Sequence, residues 1–157
     1  MSDNLFENVE TSLLVQTSSV ANDTFSGNDI VIDNDNNTAT YAEVSGSWGA
    51  SGLTGYNGST TRFSAVGGKA TWRFVAPRTG NYAVYVYKIV NATSDTNAKL
   101  TVAHAGGSTT NFVNYTTGTS GWHSLGTFSF TAGNSYLVTN ERSNGYLRAD
   151  AVLFQQQ

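Results

Sequence analysis

The chain has 157 residues, of which 12% are charged, with a net charge of −3 and no cysteine. That length fits one domain with a short extension. The lack of cysteine excludes disulfides, thiolate metal sites and cysteine nucleophiles, and eight Lys and Arg against eleven Asp and Glu form no basic stripe for phosphates, so nucleic acid is excluded as a partner.

Met1 to Asn28 differs from the rest of the chain. Leu5, Val9 and Leu13 recur every four residues, which predicts a short amphipathic helix over Asn4–Gln16, with an edge strand at Ser12–Val15 as the alternative. A helix so short needs something to dock on, either its own domain or another copy. Met1–Glu10 is acidic and has no basic-then-apolar pattern of a signal peptide. No run approaches the ~20 apolar residues of a membrane span, so no membrane insertion is expected.

From Asp29 onward the pattern is β. Ile30–Ile32 reads as a short buried strand, stopped by the Asx cluster Asp33–Asn37. Thr40–Ser47 alternates as a second strand, and Gly49–Thr61 is a glycine-rich loop. Short strands are expected at Thr61–Ala65 and Lys69–Val75, the latter with Ala70, Trp72 and Phe74 on its buried face. Pro77–Gly80 turns into Gly80–Val90, whose β-branched and aromatic residues fall on both parities, as in a central strand apolar on both faces. Further strands are expected at Ala98–His104, Thr109–Tyr115, within Gly121–Phe130, at Ser135–Asn140 and at Leu147–Phe154, followed by a polar tail, Gln155–Gln157. Nine or ten strands at spacings of about ten to fifteen residues, with no helix long enough for a crossover, predict an all-β, two-sheet antiparallel sandwich of jelly-roll type over residues 29–154.

The candidate functional residues are mostly rings. Exposed Trp and Tyr rings give sugars a large stacking surface at low entropy cost. Trp48 opens the glycine-rich loop and Tyr56 lies within it. Trp122 shares parity with Phe128 and Phe130 unless a bulge at Gly126 breaks the count, and Tyr146 sits beside a loop. These four, with Arg62, are the expected carbohydrate-binding residues. Asp33 and Asp35 offer oxygens to Ca²⁺, without EF-hand spacing and with a plain Asx turn as the other reading. No cofactor is otherwise expected. Asp150, between Ala149 and Ala151, reads as a structural carboxylate satisfied by turn amides or an arginine. No carboxylate pair, Ser–His arrangement or histidine metal spacing stands out, so no catalytic residue is expected.

Several pieces stand in a telling order. They are Asp33-Asn34, Gly46-Ser47-Trp48, Gly55-Tyr56-x-Gly58, Ala70-Thr71-Trp72, Gly80-x-Tyr82-x-Val84-Tyr85-Val86, His104-Ala105-Gly106-Gly107, Trp122-x-x-Leu125-Gly126-x-Phe128-x-Phe130 and Ala149-Asp150-Ala151-Val152. Together they resemble the golvesin C-terminal-like domain, a module that also occurs in bacterial xanthan lyases. The resemblance covers about Asp29–Phe154. It implies a carbohydrate-binding type of β-sandwich, usually a non-catalytic appendage of a larger enzyme or surface protein. The expectation is therefore a non-catalytic polysaccharide-binding module at the cell surface or outside the cell. The alternative is a self-assembling subunit of a fibre, sheath or phage tail, a homo-oligomer joined through residues 1–28.

Overall fold

The computed structural model describes residues 28–35 and 38–157. The helix or arm expected within residues 1–28, and its part in assembly, fall outside the described residues except for Asn28. Among the described residues ten strands occur in chain order: β1 Asp29–Ile32, β2 Tyr41–Ala50, β3 Arg62–Val75, β4 Gly80–Lys88, β5 Ala98–His104, β6 Gly107–Val113, β7 Gly121–Phe130, β8 Ser135–Glu141, β9 Leu147–Ala149 and β10 Val152–Gln156. They form two antiparallel sheets, as expected. The four-stranded sheet has the order β1-β10-β4-β7. The six-stranded sheet has the order β2-β3-β8-β5-β6, with β9 also paired to β3.

The alternation within strands builds the core between the sheets. Ala70, Trp72 and Phe74 of β3 and Leu100 and Val102 of β5 face Tyr82, Val84 and Val86 of β4 and Phe154 of β10, all of them 0–1% exposed. Phe74 stacks on Phe154 at 3.9 Å, and Tyr82 and Phe130 meet Phe74 edge-on. Each such ring removes a large apolar area from water and gains from the edge-to-face geometry. Buried polar tips find partners: the Tyr82 hydroxyl donates to the Arg78 carbonyl, and the Trp72 indole N–H donates to the Asp150 carbonyl at 2.9 Å.

Three departures from the expected elements matter for the site. The two short strands expected at 61–65 and 69–75 are one 14-residue strand, β3, whose first half pairs with β9 and whose second half pairs with β8. The single strand expected at Leu147–Phe154 is two, because the chain leaves the larger sheet after Ala149 and enters the smaller one at Val152. Asp150 stands at this crossing, its carbonyl accepting from both the Trp72 indole and the Asn34 amide. The third departure is a bulge in β7: Gly126 pairs with Val84 but Ser124 pairs with Tyr85, so Leu125 is the extra residue. Gly126 has φ +123°, a conformation that favours glycine. The bulge reverses the parity of β7, so Phe130 is in the core while Trp122 emerges on the outer face opposite Tyr87.

Candidate functional site

The expected site residues do not converge. Tyr56 lies in a short 3-10 turn, Tyr56–Gly58, that folds the loop back onto the outside of the smaller sheet. Its ring meets Tyr87 and Trp122 at centroid distances of 5.3 and 5.0 Å, over Val31, Ala151 and Leu153. It is 2% exposed, so it has no face to offer a ligand. Trp122 is half-buried in the same cluster. Trp48, also half-buried, packs on the rim of the main core, and its indole N–H donates to the Ser45 carbonyl at 2.7 Å. Arg62 forks onto Glu43, Nε to Oε1 at 2.5 Å and Nη2 to Oε2 at 3.1 Å. Of the five, Tyr146 lines an open cleft.

That cleft, of about 400 Å³, lies at the end of the larger sheet. Its floor is a cross-strand pair, Phe63 of β3 directly opposite Arg148 of β9. Tyr146 is two residues before Arg148, and its ring meets Phe63 edge-on at 5.5 Å. The Arg148 guanidinium carbon stands 5.6 Å from the Phe63 ring centre and 5.8 Å from that of Tyr146, within cation–π range of both. Ser51, Gly52 and Leu53 form one wall and Asn91 and Thr93 another.

The walls are held by hydrogen bonds that arise from the loop residues. Asp95, wholly buried, accepts from the Asn97 amide with Oδ1 and from the Ser143 and Asn144 amides with Oδ2, which ties the 91–96 loop to the turn before β9. The Asn91 side-chain oxygen accepts from the amide and hydroxyl of Thr93, a local Asx turn. The Tyr146 amide donates to the Thr93 carbonyl, and the Tyr146 carbonyl accepts from the Asp95 amide. Gly145 has φ +48°, and a Cβ there would run into the Ser94 carbonyl, so this close approach needs glycine. Arg148 itself is 7% exposed. Its Nε donates to the Ser94 hydroxyl at 2.9 Å, Nη1 to the Ser51 hydroxyl at 3.1 Å and Nη2 to the Thr93 hydroxyl at 3.5 Å. Burial lowers its pKa.

Phe63 and Arg148 are functional candidates that the sequence reading did not single out. The available signal was a cation inside the otherwise apolar strand Leu147–Ala149, on the same parity as Tyr146. The pairing of β9 with β3, which adds Phe63, has no local signature.

A larger groove of about 640 Å³ runs along the outer face of the larger sheet, lined by Val44, Thr71, Arg73, Leu137 and Thr139 among others. Its ring, Tyr41, is 7% exposed. With no ring face to stack on, it lacks the platform that a sugar needs, despite its size.

The Asx cluster has settled on itself. Asp33 Oδ1 accepts from the Asp35 amide, and its Oδ2 from the Ser59 hydroxyl. Asp35 takes the Thr60 amide at 3.0 Å and the Thr60 hydroxyl. Among the described residues no group of three His, Asp or Glu is placed to hold a metal ion. Nearby Asp150 is 1% exposed. Its Oδ1 accepts from the Tyr56 amide at 2.9 Å, and its Oδ2 has no hydrogen-bond partner among the described residues. Desolvation pushes its pKa up to about 7. Arg148 does not neutralise it; the arginine turns to the cleft.

A family model described as the Golvesin C-terminal domain matches residues 30–156. The xanthan lyase of Bacillus sp. (strain GL1) is 35% identical over 83 residues, which is 50% of this chain and 9% of that protein. A solved structure of Paenibacillus xanthan lyase superposes with a TM-score of 0.75 and 28% identity, covering 83% of this chain and 13% of that one. The CBM35 module of Abf62 from Cellvibrio japonicus shares the fold at a TM-score of 0.54 and 20% identity, over 80% of this chain and 91% of the module. The chain thus spans only a small part of the xanthan lyases it matches.

Proposed function

The chain belongs to the Golvesin C-terminal domain family, and on that premise we propose that it is a non-catalytic module that binds polysaccharide in the Phe63–Tyr146–Arg148 cleft. The observation that carries this reading is the cleft itself, which sets an exposed ring and a half-buried one beside a fixed polar group. Sugars stack on ring faces and take hydrogen bonds from nearby side chains, and this cleft offers both. A family 35 carbohydrate-binding module shares the fold, and the xanthan-lyase likeness makes xanthan a natural first ligand to try. The cleft lining includes no carboxylate, whereas glycoside hydrolysis commonly needs two flanking one bond. On this reading the module works outside the cell or at its surface, bringing whatever it is attached to onto a glycan.

The test is affinity gel electrophoresis against xanthan, polygalacturonate, alginate and a neutral galactomannan. At least one polymer should retard the wild type, and Tyr146→Ala should weaken that retardation about tenfold, the loss expected for one stacking ring. No new reducing ends should appear on incubation. A wild type that migrates freely through every gel would end the binding reading.

A further inference from the structure

Among the described residues, Arg148 is a buried cation without a counter-ion. It forms no ion pair with an acid among the described residues, where the salt bridges join Arg62 to Glu43 and Lys69 and Lys99 to Glu141. Its hydrogen-bond acceptors are three neutral hydroxyls, from Ser94, Ser51 and Thr93. A guanidinium has five N–H donors, so part of the fork is left over. Burying a charge is costly unless a partner of opposite sign arrives. The two rings orient the guanidinium and soften that cost without neutralising it. The nearest acid in sequence, Asp150, is committed to the sheet crossing and the Tyr56 amide. A neutral sugar would need no such arrangement, because hydroxyls and amides recognise it without a buried charge. A carboxylate matches a planar, fixed, two-pronged donor.

We propose that the cleft selects a carboxylate-bearing sugar, with the acid group on Arg148 and the sugar ring against Tyr146. This rests on the polysaccharide-binding reading above and narrows it from glycans at large to acidic ones. Ser51 and Thr93 hold the guanidinium so that the remaining donors meet the incoming carboxylate.

The test compares each acidic polymer, polygalacturonate, alginate and xanthan, with the same polymer after its carboxyl groups have been reduced to alcohols. That arm needs no mutation, so it stands even if a variant fails to fold. The protein arms are Arg148→Lys, which keeps the charge but loses the fork, and Arg73→Gln, which removes an exposed arginine from the distant outer face. The expected result is binding about tenfold or more weaker after carboxyl reduction, a similar loss in Arg148→Lys and no change in Arg73→Gln. Equal binding of native and reduced polymer overturns the acid selection and leaves the sugar site standing. Failure of every polymer, acidic and neutral, removes the binding reading and this inference with it. An equal loss in Arg73→Gln and Arg148→Lys means diffuse charge attraction and also overturns the proposal.

Discussion

Two aromatic groupings on this sandwich are built from similar parts and are left in opposite states. On the outside of the smaller sheet, Tyr56, Tyr87 and Trp122 meet pairwise at 5.0 to 5.3 Å, and a loop lies over them. At the end of the larger sheet, Phe63 and Tyr146 meet at a similar 5.5 Å, but the third corner is the Arg148 guanidinium and one side is open. A third ring closes the first group, so its faces are used up by the fold. A cation as third corner leaves the second group polar and unsaturated. Ring content alone therefore does not mark a site; the neighbours of the rings, and whether a loop covers them, decide.

The largest expected effect breaks that comparison from the closed side. Tyr56→Ala should cost about 3–5 kcal/mol in urea denaturation, the range for deleting a buried aromatic, while the folded protein retains its wild-type polysaccharide affinity. The opposite pattern, lost binding at full stability, would move the site to the closed cluster.

The next effect is pH-dependent and belongs to the same loop, because the Tyr56 amide is held by Asp150. The Asp150 pKa is raised in the folded state from its ordinary 3.8 to about 7. A raised carboxyl favours folding fully below the unfolded value and loses that contribution as pH climbs through the folded one. Stability should therefore fall between about pH 4 and pH 7, by at most about 1.4 kcal/mol per pH unit for one proton. Asp33, also raised by burial, adds in the same direction, whereas His123, lowered by burial, works against it near neutrality. The difference between wild type and Asp150→Asn isolates the carboxyl: the variant's thermal midpoint should vary less from pH 5 to pH 8. Parallel curves for the two proteins would show that Asp150 ionises in the folded state as it does in the unfolded chain.

Much of the sandwich was legible because burial imposes a period of two. Ala70, Trp72 and Phe74 could be assigned to the core from alternation alone, and β4 as a strand apolar on both faces from its two apolar parities, with Tyr82, Val84 and Val86 inward and Ala83, Tyr85 and Tyr87 outward. Parity arguments fail where the count is broken. The bulge at Leu125 sends Trp122 outward, and only Gly126 hinted at it. The sheet change at Asp150 splits an apolar run that reads as one strand, because hydrophobicity is the same in either sheet. The cleft was half legible: Tyr146 is beside a loop and was expected as a site residue, whereas Phe63 arrives only through its pairing with Arg148, in a strand far along the chain. Long-range register of this kind leaves no mark in either segment. Tyr56 shows the converse error: a tyrosine in a glycine-rich loop resembles a displayed ring, yet the loop's own hydrogen bonds fold it inward.

The smallest expected effect sharpens the comparison by taking a second arginine as control. Arg62 and Arg148 both lie on the β3–β9 ladder, and Arg62 pairs with Ala149, the residue after Arg148. Arg62 has its carboxylate already, in Glu43, and both side chains are partly exposed. Such a pair contributes little, so Arg62→Ala should cost less than about 1 kcal/mol and leave polysaccharide affinity within about twofold of wild type. Glu43→Ala is the sharper half of the control, because it frees the Arg62 fork without altering the cleft. If an unpaired arginine near rings were enough to capture acidic polymer, Glu43→Ala would bind it more tightly than wild type. No gain is expected, because Phe63 and Tyr146 hold the guanidinium of Arg148, whereas among the described residues that of Arg62 is held by Glu43 and loses its fixed geometry with it. A gain of about tenfold would show that free charge, and not the ring-backed fork, governs recognition on this end of the sheet.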